Sequence, residues 1–394
     1  MQCWQNIFII SCLIVFYNYA GYAIILYLVN LLTKSGKNLT HNLASLPTVS
    51  FIVAAFNEEE FIQKKIINSS EQNYPSDLIE FIFITDGSTD KTPDIIRKYP
   101  FIKLLHQPER KGKSAAINRA VQAATHDILI FSDANTILNK DACLNIAKHY
   151  QYKKIGGVSG EKKVISLADT PDNVSAGEGI YWKYESLLKK IDSDFYSVVG
   201  AAGELFSVRC NLYRPIPGNV ILDDFVISLK TAQQGYQIIY EPTAYATELP
   251  SFSLKDEQKR KIRIAAGGFQ AIGMLKSLFL FWKHPKLSFL YISHRLLRWT
   301  LSPLCLILAF ISNMILFIEA DNPVFKILFI VQLCFYAMAA IAAFILPGSR
   351  IKILKLPYYF TFMNVSVVLG FFRFLSGNQS AIWEKAKRSQ AGIL

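Results

Sequence analysis

The sequence predicts an α/β domain with a mostly parallel central sheet, flanked by transmembrane helices. Of the 394 residues, 52% are hydrophobic and only 18% are charged, and the mean hydropathy is +0.25. These values are typical of a chain that lies partly in lipid. Long apolar segments lie on both sides of residues 47–250, whereas within that range short apolar runs alternate with helical patterns. Such alternation is the signature of a parallel sheet covered by helices.

The first element is an apolar segment from Ile7 to Leu32 without a charged residue. About 20 apolar residues suffice to span a bilayer as a helix. Because Met1 to Asn6 contain no Lys or Arg and the apolar stretch is long, residues 1–33 are interpreted as a transmembrane anchor rather than a cleaved signal peptide. Lys34 and Lys37 follow the anchor, which predicts that the next domain is cytoplasmic.

Residues 47–250 form the predicted cytoplasmic domain. Strands are predicted in TVSFIVAAF, IEFIFIT, IKLLHQ, DILIFSD and YQIIYEP, which are rich in β-branched and aromatic residues. Helices are predicted between them in EEEFIQKKIINSSEQ, TPDIIRKYP and SAAINRAVQAAT, from their apolar periodicity. The order of these elements predicts a mostly parallel sheet with helices on both faces.

The mixture of basic and apolar residues in 251–293 predicts amphipathic helices at the membrane interface. Residues 294–376 contain three segments long enough to cross lipid, namely Leu296–Phe317, Val324–Leu346 and Pro357–Leu375. Residues 377–394 form a basic tail. With the sheet domain inside the cell, the loop PGSRIKILKLP falls inside as expected, but the tail WEKAKR falls outside if the last segment crosses the bilayer. Whether that segment spans therefore stays open.

The formal net charge of +12 indicates an anionic substrate or positively charged cytoplasmic loops beside the membrane. The basic clusters flank apolar segments, as juxtamembrane residues do, and they are not interleaved with aromatic residues like a base-stacking surface. Membrane lipid is therefore the expected partner, and nucleic acid is not. The six cysteines are scattered without a CxxC pair, which predicts neither a zinc site nor a disulfide framework.

Two predicted strands end at an aspartate. Asp86 ends the second strand, where Gly87 permits a sharp turn and Ser88 and Thr89 are expected to cap the next helix. Ligands bind at the carboxyl edge of such sheets, although an ordinary capped turn is the alternative.

Asp133 ends a later strand, and Asn135 follows two residues on. In an extended chain both side chains point to one side. They would supply two oxygen ligands for Mg²⁺ or Mn²⁺, which would in turn bind a diphosphate. A turn-forming Asp/Asn pair is the alternative.

A third acidic site is the pair Asp223 and Asp224, which opens an apolar helix. These carboxylates either complement the helix dipole or include a general base, for which Asp224 is the candidate. Upstream, Gly203 and Glu204 lie in GAAGELFSVR, a loop of small residues that permits close approach of the backbone to a ligand.

Arg260 and Arg263 are three residues apart and fall on neighbouring positions of one helix face. They could grip phosphate oxygens or contact lipid headgroups.

The order of these motifs resembles that of the membrane-bound family-2 glycosyltransferases, which include cellulose-synthase-like, hyaluronan-synthase-like and poly-N-acetylglucosamine-synthase-like enzymes. The motifs are VAAFNEEEFI, TDGSTD, KGKSAAIN, SDAN, GAAGELFSVR, LDDF and RKIRIAAGG. They cover roughly residues 48–268. The resemblance implies a GT-A fold and inverting transfer of a hexose from a UDP-sugar.

The resemblance also implies roles for individual residues. The uridine part of the donor would be held by Ala55, Asn57, Glu58 and Asp86. Lys113 would lie near the nucleotide, and Asp133 would face the metal-bound diphosphate. The metal ligands would be Asp133 and Asn135. The catalytic base would be Asp224, next to Asp223. The acceptor and diphosphate would contact Gly203, Glu204, Arg260 and Arg263.

Two positions depart from the family pattern. The DxD motif reads Asp-Ala-Asn, so the metal affinity is open. The QxxRW motif aligns with RKIRI, which places Arg260 at Gln and Ile264 at Trp and keeps only Arg263. Because the Trp is expected beside the acceptor sugar, a long polymer and a short or lipid-linked acceptor both stay open.

The resemblance implies a multi-pass protein of the inner or plasma membrane, acting in envelope or exopolysaccharide biosynthesis. The acceptor would be a polysaccharide or a polyprenyl-linked oligosaccharide, and export or polymerase subunits are candidate partners. Two alternatives are a polyprenyl-phosphate glycosyltransferase that adds a single sugar and a catalytically silent scaffold or export subunit.

Overall fold

The central element is an eight-stranded sheet in the order β3-β2-β1-β4-β7-β6-β8-β5. The computed structural model describes residues 1–33, 45–164, 172–248, 254–345 and 352–377. The strands are β1 (Val49–Ala55), β2 (Ile79–Asp86), β3 (Ile102–Gln107), β4 (Ile128–Asp133), β5 (Ile137–Leu138), β6 (Ile155–Val164), β7 (Leu205–Arg209) and β8 (Gln237–Glu248).

Parallel pairing dominates the half of the sheet that the sequence predicts best. Strand β1 pairs in parallel with β2 and β4, and β2 pairs in parallel with β3. Strand β7 pairs antiparallel with both β4 and β6, while β6 and β8 are parallel. The predicted mostly parallel α/β sheet is therefore confirmed.

Three strands, β5, β6 and β7, were not predicted from the sequence. Strand β5 has only two residues. Strand β6 begins IGGVSG, and a Cβ atom on Gly157 would lie 2.6 Å from the Ser207 carbonyl oxygen, so glycine is needed where β-branched residues were expected. Strand β7 occupies the second half of GAAGELFSVR, so only Gly200–Glu204 is the predicted loop.

Helices cover both faces of the sheet. They are α1 (Gln2–Phe16), α2 (Tyr22–Thr33), α3 (Ile62–Ser70), α4 (Thr92–Arg97), α5 (Lys113–Ala123), α6 (Ala142–Ala147), α7 (Asp172–Phe195), α8 (Asp223–Ala232), α9 (Leu254–Met274), α10 (Pro285–Tyr291), α11 (Leu297–Trp299), α12 (Leu301–Glu319), α13 (Pro323–Ala340) and α14 (Lys352–Leu375). One face packs on α3, α4 and α6. The other packs on α5, α7, α8 and α10.

A single continuous helix, Gln2–Thr33, contains α1, a π-helical turn at Tyr17–Gly21, and α2; it is called the anchor below. Its 32 residues measure about 48 Å, which exceeds the hydrocarbon core of about 30 Å. The first part packs along α12, where Phe8 meets Leu316. The second part docks on the sheet domain, because Tyr22 and Leu26 belong to its core.

Four helices are long and apolar enough to cross a membrane, counting only the part of the chain that the structure describes. They are Gln2–Thr33, Leu301–Glu319, Pro323–Ile345 and Ile353–Leu375. The chain is therefore a membrane protein. Lys34, Lys37 and the predicted basic tail after residue 377 lie outside the described residues.

A buried polar network fastens the anchor to the sheet domain. The Tyr22 hydroxyl donates to Asp192 Oδ1 over 2.6 Å, and His294 Nδ1 lies 2.6 Å from Asp192 Oδ2. Nearby, Glu185 accepts from Arg298 over 2.5 Å and pairs with Arg295 over 2.9 Å. Since buried charges are stable only when they are paired, these contacts fix the anchor, α7 and the segment before α12 relative to one another.

Replacing Tyr22 with Phe should lower the thermal stability of the purified protein. The change removes the donor to a buried carboxylate, an interaction worth about 1.5–3 kcal/mol. Tyr27→Phe is the matched control, because Tyr27 lies on the same helix and is 53% exposed. Thermal unfolding in one detergent should show a lower Tm for Tyr22→Phe alone. Equal Tm values for the two variants would contradict the docking role of Tyr22.

Candidate active site

A cavity of about 1670 Å³ opens beside the carboxyl ends of β1 and β4 and the start of α8. Ten of the predicted site residues line it: Glu58, Lys113, Asp133, Asn135, Gly203, Glu204, Asp223, Asp224, Arg260 and Arg263. Three others, Ala55, Asn57 and Asp86, lie outside its lining. The structure thus brings most of the predicted residues together, although they are far apart in sequence.

Lys113 holds together two of the acidic sites. Its ammonium Nζ lies 2.7 Å from Asp133 Oδ1 and 3.7 Å from Asp223 Oδ2. Burial alone lowers the pKa of Lys113, but the two carboxylates outweigh it and raise that pKa. Lys113 therefore stays charged, and it places a positive charge where an anionic ligand could enter.

Asp224 lies beside this cluster at the first turn of α8. Burial inside the cavity and the negative charge of Asp223 raise its pKa to about 7, against the opposing effect of Lys113. A Cβ atom on Gly203 would lie 3.1 Å from Asp224 Oδ2, so a larger residue at position 203 would crowd this side of the carboxylate. A carboxylate with a pKa near neutrality is suited to accept a proton at physiological pH.

The loops after β1 and β2 are clamped together by Asn57, which adopts a left-handed φ of 53°. Its side chain accepts from the Thr89 N–H over 2.8 Å, and its own N–H donates to Ser88 Oγ over 3.2 Å. The expectation that Ser88 and Thr89 cap the next helix is wrong. Helix α4 begins only at Thr92, so Ser88 and Thr89 are too far from its first turn. Asp90 accepts a hydrogen bond from the Thr92 N–H over 3.0 Å instead.

Asp86 is buried behind the cavity and binds the backbone of another loop. Its carboxylate accepts from the N–H groups of Lys111 and Gly112, the latter over 2.6 Å. Lys113 follows directly at the start of α5. In this structure Asp86 thus orients the loop that presents Lys113, and its contact with a nucleotide stays a prediction.

The residues at the end of β4 suit a hard divalent cation. Asp133 and Asn135 both line the cavity and offer oxygen ligands of the kind that Mg²⁺ and Mn²⁺ prefer. No group of three His, Cys, Asp or Glu side chains suited to a metal occurs among the described residues. The remaining ligands would therefore come from a bound diphosphate and from water, which is common for Mg²⁺.

Sequence reasoning missed the fully buried Lys65 of α3. Its ammonium donates to Ser132 Oγ over 2.6 Å and to the Thr136 carbonyl over 3.0 Å. Ser132 also donates to the Glu204 carbonyl over 3.1 Å. Burial lowers the pKa of Lys65 to about 7, against the opposing charge of Asp133. Lys65 thus stabilises the turn after Asp133 directly and the Glu204 loop through Ser132. These contacts join residues that are distant in sequence, so no local pattern predicts them.

Glu204 faces the cavity and is held by a second buried lysine. Lys162 Nζ contacts Glu204 Oε1 at 2.5 Å and also pairs with Glu248. Although burial by itself raises the pKa of Glu204, the Lys162 ammonium brings it below the usual value. Glu204 is therefore an ionised acceptor in the cavity wall.

The far end of the cavity is basic and aromatic. Arg260 pairs with Glu257 on the same helix over 3.0 Å, and Arg263 and Ile264 line the wall one turn further on. Trp182 and Trp299 line the cavity as well, although the sequence has no Trp at position 264. Aromatic surface is thus supplied by α7 and α11, which local motif matching could not reveal.

Comparison with known proteins agrees with this geometry. Residues 50–216 match the family described as glycosyl transferase family 2. A poly-beta-1,6-N-acetyl-D-glucosamine synthase of Staphylococcus aureus is 27% identical over 245 residues, covering 59% of this chain and 57% of that protein. The enzyme of the same name from Staphylococcus epidermidis is 24% identical over 231 residues, covering 57% and 55%. The match thus spans little more than half of these relatives.

Among solved structures, a mannosyltransferase from Pyrobaculum calidifontis in complex with GDP-Man and Mn²⁺ is similar over 95% of this chain and 99% of its own. The TM-score is 0.71 and the sequence identity is 21%, so the similarity concerns the fold. The expected GT-A fold is thereby confirmed.

Replacing Gly200 with Ala should impair both stability and turnover. Gly200 has a φ of +86°, and an added Cβ would lie 2.1 Å from Phe225 Cδ2, next to Asp224. Gly235→Ala is the matched control, since Gly235 has a φ of +90° and open space around it. Each left-handed alanine costs about 1–2 kcal/mol, and only Gly200→Ala should also displace α8. The measurements are Tm and initial rate; similar losses in both variants would contradict this packing role.

Proposed function

We propose that this chain, in which residues 50–216 form a family 2 glycosyltransferase domain, is an inverting enzyme that transfers a sugar from a UDP-sugar to a polysaccharide or polyprenyl-linked acceptor. The polysaccharide synthases among its relatives support synthesis of an envelope or exopolysaccharide. The donor nucleotide, the acceptor and the stereochemistry are inferred from the family resemblance and from the cavity.

The observation that carries the proposal is the convergence of Lys113, Asp133, Asp223 and Asp224 in one cavity. A lysine between carboxylates at the edge of a GT-A sheet supports binding of an anionic diphosphate, and a carboxylate of raised pKa supports proton abstraction. A silent scaffold has no need of this arrangement, so it favours an enzyme.

The residues of the chain suggest a direct displacement. Asp224 would accept the proton of an acceptor hydroxyl, whose oxygen forms a bond to the anomeric carbon. The bond between that carbon and the phosphate oxygen breaks, and the nucleoside diphosphate leaves with the electron pair. Lys113 would stabilise the negative charge of the leaving diphosphate. Attack from the face opposite the leaving group inverts the configuration, and no covalent enzyme intermediate is required.

Asp133 and Asn135 would hold Mg²⁺ or Mn²⁺. A bound divalent cation neutralises charge on the departing diphosphate. Asn135 is a neutral ligand, so the site should bind the cation less tightly than a site with two carboxylates would.

We place the catalytic domain on the cytoplasmic side of a multi-pass protein, because its donor is a cytosolic metabolite. The cavity is bordered by Tyr19 of the anchor and by Tyr359, Phe360 and Met363 of α14. These apolar and aromatic residues favour an acceptor with a lipid part. A polyprenyl-phosphate glycosyltransferase that adds one sugar is therefore the second candidate, and lipid extraction followed by product sizing would separate it from a polymerase.

Asp224→Asn should abolish sugar transfer and leave donor binding nearly unchanged, because an amide cannot take up the acceptor proton. Release of nucleoside diphosphate from a panel of UDP- and GDP-sugars measures turnover, and calorimetry measures binding. Asp94→Asn, at an exposed site on α4, is the control. Full turnover by Asp224→Asn would refute its role as the base.

The kcat/KM should rise with pH, with a midpoint near pH 7. Burial and Asp223 raise the pKa of Asp224 to about 7, and only its deprotonated form can act as a base. Below the midpoint the rate should fall about tenfold per pH unit. Donor affinity measured across the same range separates this effect from binding. A flat profile between pH 5.5 and 8 would contradict the assignment.

Asn135→Asp should lower the concentration of Mn²⁺ needed for half-maximal activity, because a second carboxylate strengthens an oxygen-ligand site. Chelation should remove activity from the unaltered protein and from this variant, and Mn²⁺ should restore it to both. Metal titration of the initial rate is the measurement. An unchanged or higher Mn²⁺ requirement in Asn135→Asp would exclude position 135 from the metal site.

A further inference from the structure

We propose that α14, although long and apolar enough to cross a bilayer, does not cross it. It lies along the interface on the side of the sheet domain and forms the membrane-facing wall of the cavity. The membrane is then crossed by the anchor, α12 and α13, and the chain after Leu375 stays on the side of the sheet domain.

The first observation is that both ends of α14 border the same cavity. Lys355 near its start and Arg373 near its end line the space that also contains Asp133 and Asp224. These two residues are about 27 Å apart along a helix, close to the thickness of a hydrocarbon core of about 30 Å. A crossing helix would carry its two ends to opposite membrane surfaces, so only one end could reach a cavity built on the sheet domain.

The second observation is the depth at which α14 meets the anchor. Near the middle of α14, Asn364 Oδ1 accepts from the Tyr19 hydroxyl over 2.9 Å, and the Phe360 ring lies 4.9 Å from that of Tyr19. Tyr19 is about 26 Å from Gln2 along the anchor, which places it at the boundary facing the sheet domain. The middle of a spanning helix would instead lie level with the middle of the bilayer, near Ile10.

The boundary assignment of Tyr19 rests on its neighbours. The Tyr184 hydroxyl of α7 donates to the Tyr19 carbonyl over 2.9 Å, and Tyr22, one turn further along, binds Asp192. At the opposite end of the anchor, Phe8 packs against Leu316 and Ala320 at the end of α12. The anchor therefore enters the sheet domain where α14 crosses it.

The third observation is the packing of α14 on α9. A Cβ atom on Gly370 would lie 2.5 Å from Ala265 Cβ, and the Phe371 ring lies 5.1 Å from that of Phe269. Helix α9 is rich in charged residues, including Lys255, Asp256, Glu257, Lys259, Arg260, Lys261 and Arg263. All of these charges lie between residues 255 and 263, and the added Cβ on Gly370 would also lie 2.9 Å from the carbonyl oxygen of Ile262 in this charged half, which is excluded from hydrocarbon. The end of α14 that packs on α9 must therefore lie at the membrane surface.

The composition of α14 agrees with an interfacial position. Its most apolar stretch is less hydrophobic than the corresponding stretches of the anchor, α12 and α13. Tyr358, Tyr359 and Arg373 are residue types that favour the boundary between lipid and water. Its outer face is apolar, since Val365 and Phe372 are 44% and 61% exposed. One face thus contacts lipid and the other lines the cavity.

This arrangement also accounts for the charge pattern of the chain. After the anchor, α12 and α13, the start of α14 with Lys355 is on the side of the sheet domain, and an interfacial α14 keeps Arg373 near its end on that side as well. Basic residues then accumulate on one side of the membrane, as expected. If the proposed function holds, a lipid-linked acceptor reaches Asp224 by passing α14 from the headgroup layer.

Single-cysteine labelling in membrane vesicles tests the topology without requiring activity. Reporters are placed at Ser376, at Asp94 on the sheet domain and at the exposed Asp321 between α12 and α13. The background replaces all six cysteines by alanine, so that each reporter variant carries a single thiol. Vesicles of both orientations are treated with a membrane-impermeant maleimide. We expect Ser376→Cys to label together with Asp94→Cys and opposite to Asp321→Cys. Labelling together with Asp321→Cys would overturn the proposal.

A depth measurement covers the case in which Ser376→Cys is poorly folded. Spin labels are placed at Val365 of α14, which is 44% exposed, and at Ile10 of the anchor, which is 56% exposed. They report how accessible each site is to oxygen and to a polar nickel complex. An interfacial α14 places Val365 near the headgroups and Ile10 deep in the hydrocarbon. Equal depths for the two sites would overturn the proposal. Because neither readout uses turnover, an absent glycosyltransferase activity would leave this test intact.

Discussion

The ammonium group of Lys113 is the interaction on which the site depends. Three carboxylates, those of Asp133, Asp223 and Asp224, gather in one cavity, and such a concentration of negative charge is unfavourable without a cation. Lys113 contacts two of them, at 2.7 Å and 3.7 Å. The third carboxyl group, that of Asp224, has a pKa raised to about 7 by burial and by the charge of Asp223. One lysine thus leaves the cavity able to receive an anionic diphosphate and leaves one carboxylate suited to take up a proton.

The rest of the fold holds this cluster in place. Asp86 binds the backbone just before Lys113, and Lys65 supports the turn that carries Asp133. Glycines at positions 200 and 203 let α8 approach the loop beside it. On the membrane side, the Tyr22–Asp192 hydrogen bond docks the anchor on the domain. The cavity is therefore built jointly by the sheet domain and by the anchor and α14, two of the helices that are long and apolar enough to cross a membrane.

The sequence predicts the parts of this structure that local patterns encode. Strands β1 to β4 are apolar runs that end at polar turns, and the carboxyl edge brings Asp133 and its neighbours together as expected. Strand β6 was missed because it contains Gly156, Gly157 and Gly160, and β7 was missed because its five residues directly follow a loop of small residues. Lys65, Trp182 and Tyr22 were missed because their partners are distant in sequence. The capping by Ser88 was predicted wrongly because the helix begins later.

The most direct test of the account is a cryo-electron microscopy structure of the full chain in a lipid nanodisc with Mn²⁺ and either UDP or GDP. The account predicts diphosphate density in the cavity, with its oxygens near Lys113 and a metal ion held by Asp133 and Asn135. The better-ordered nucleotide would identify the donor class. Nucleotide bound outside this cavity, or an empty cavity at saturating concentrations of both nucleotides, would contradict the central claim.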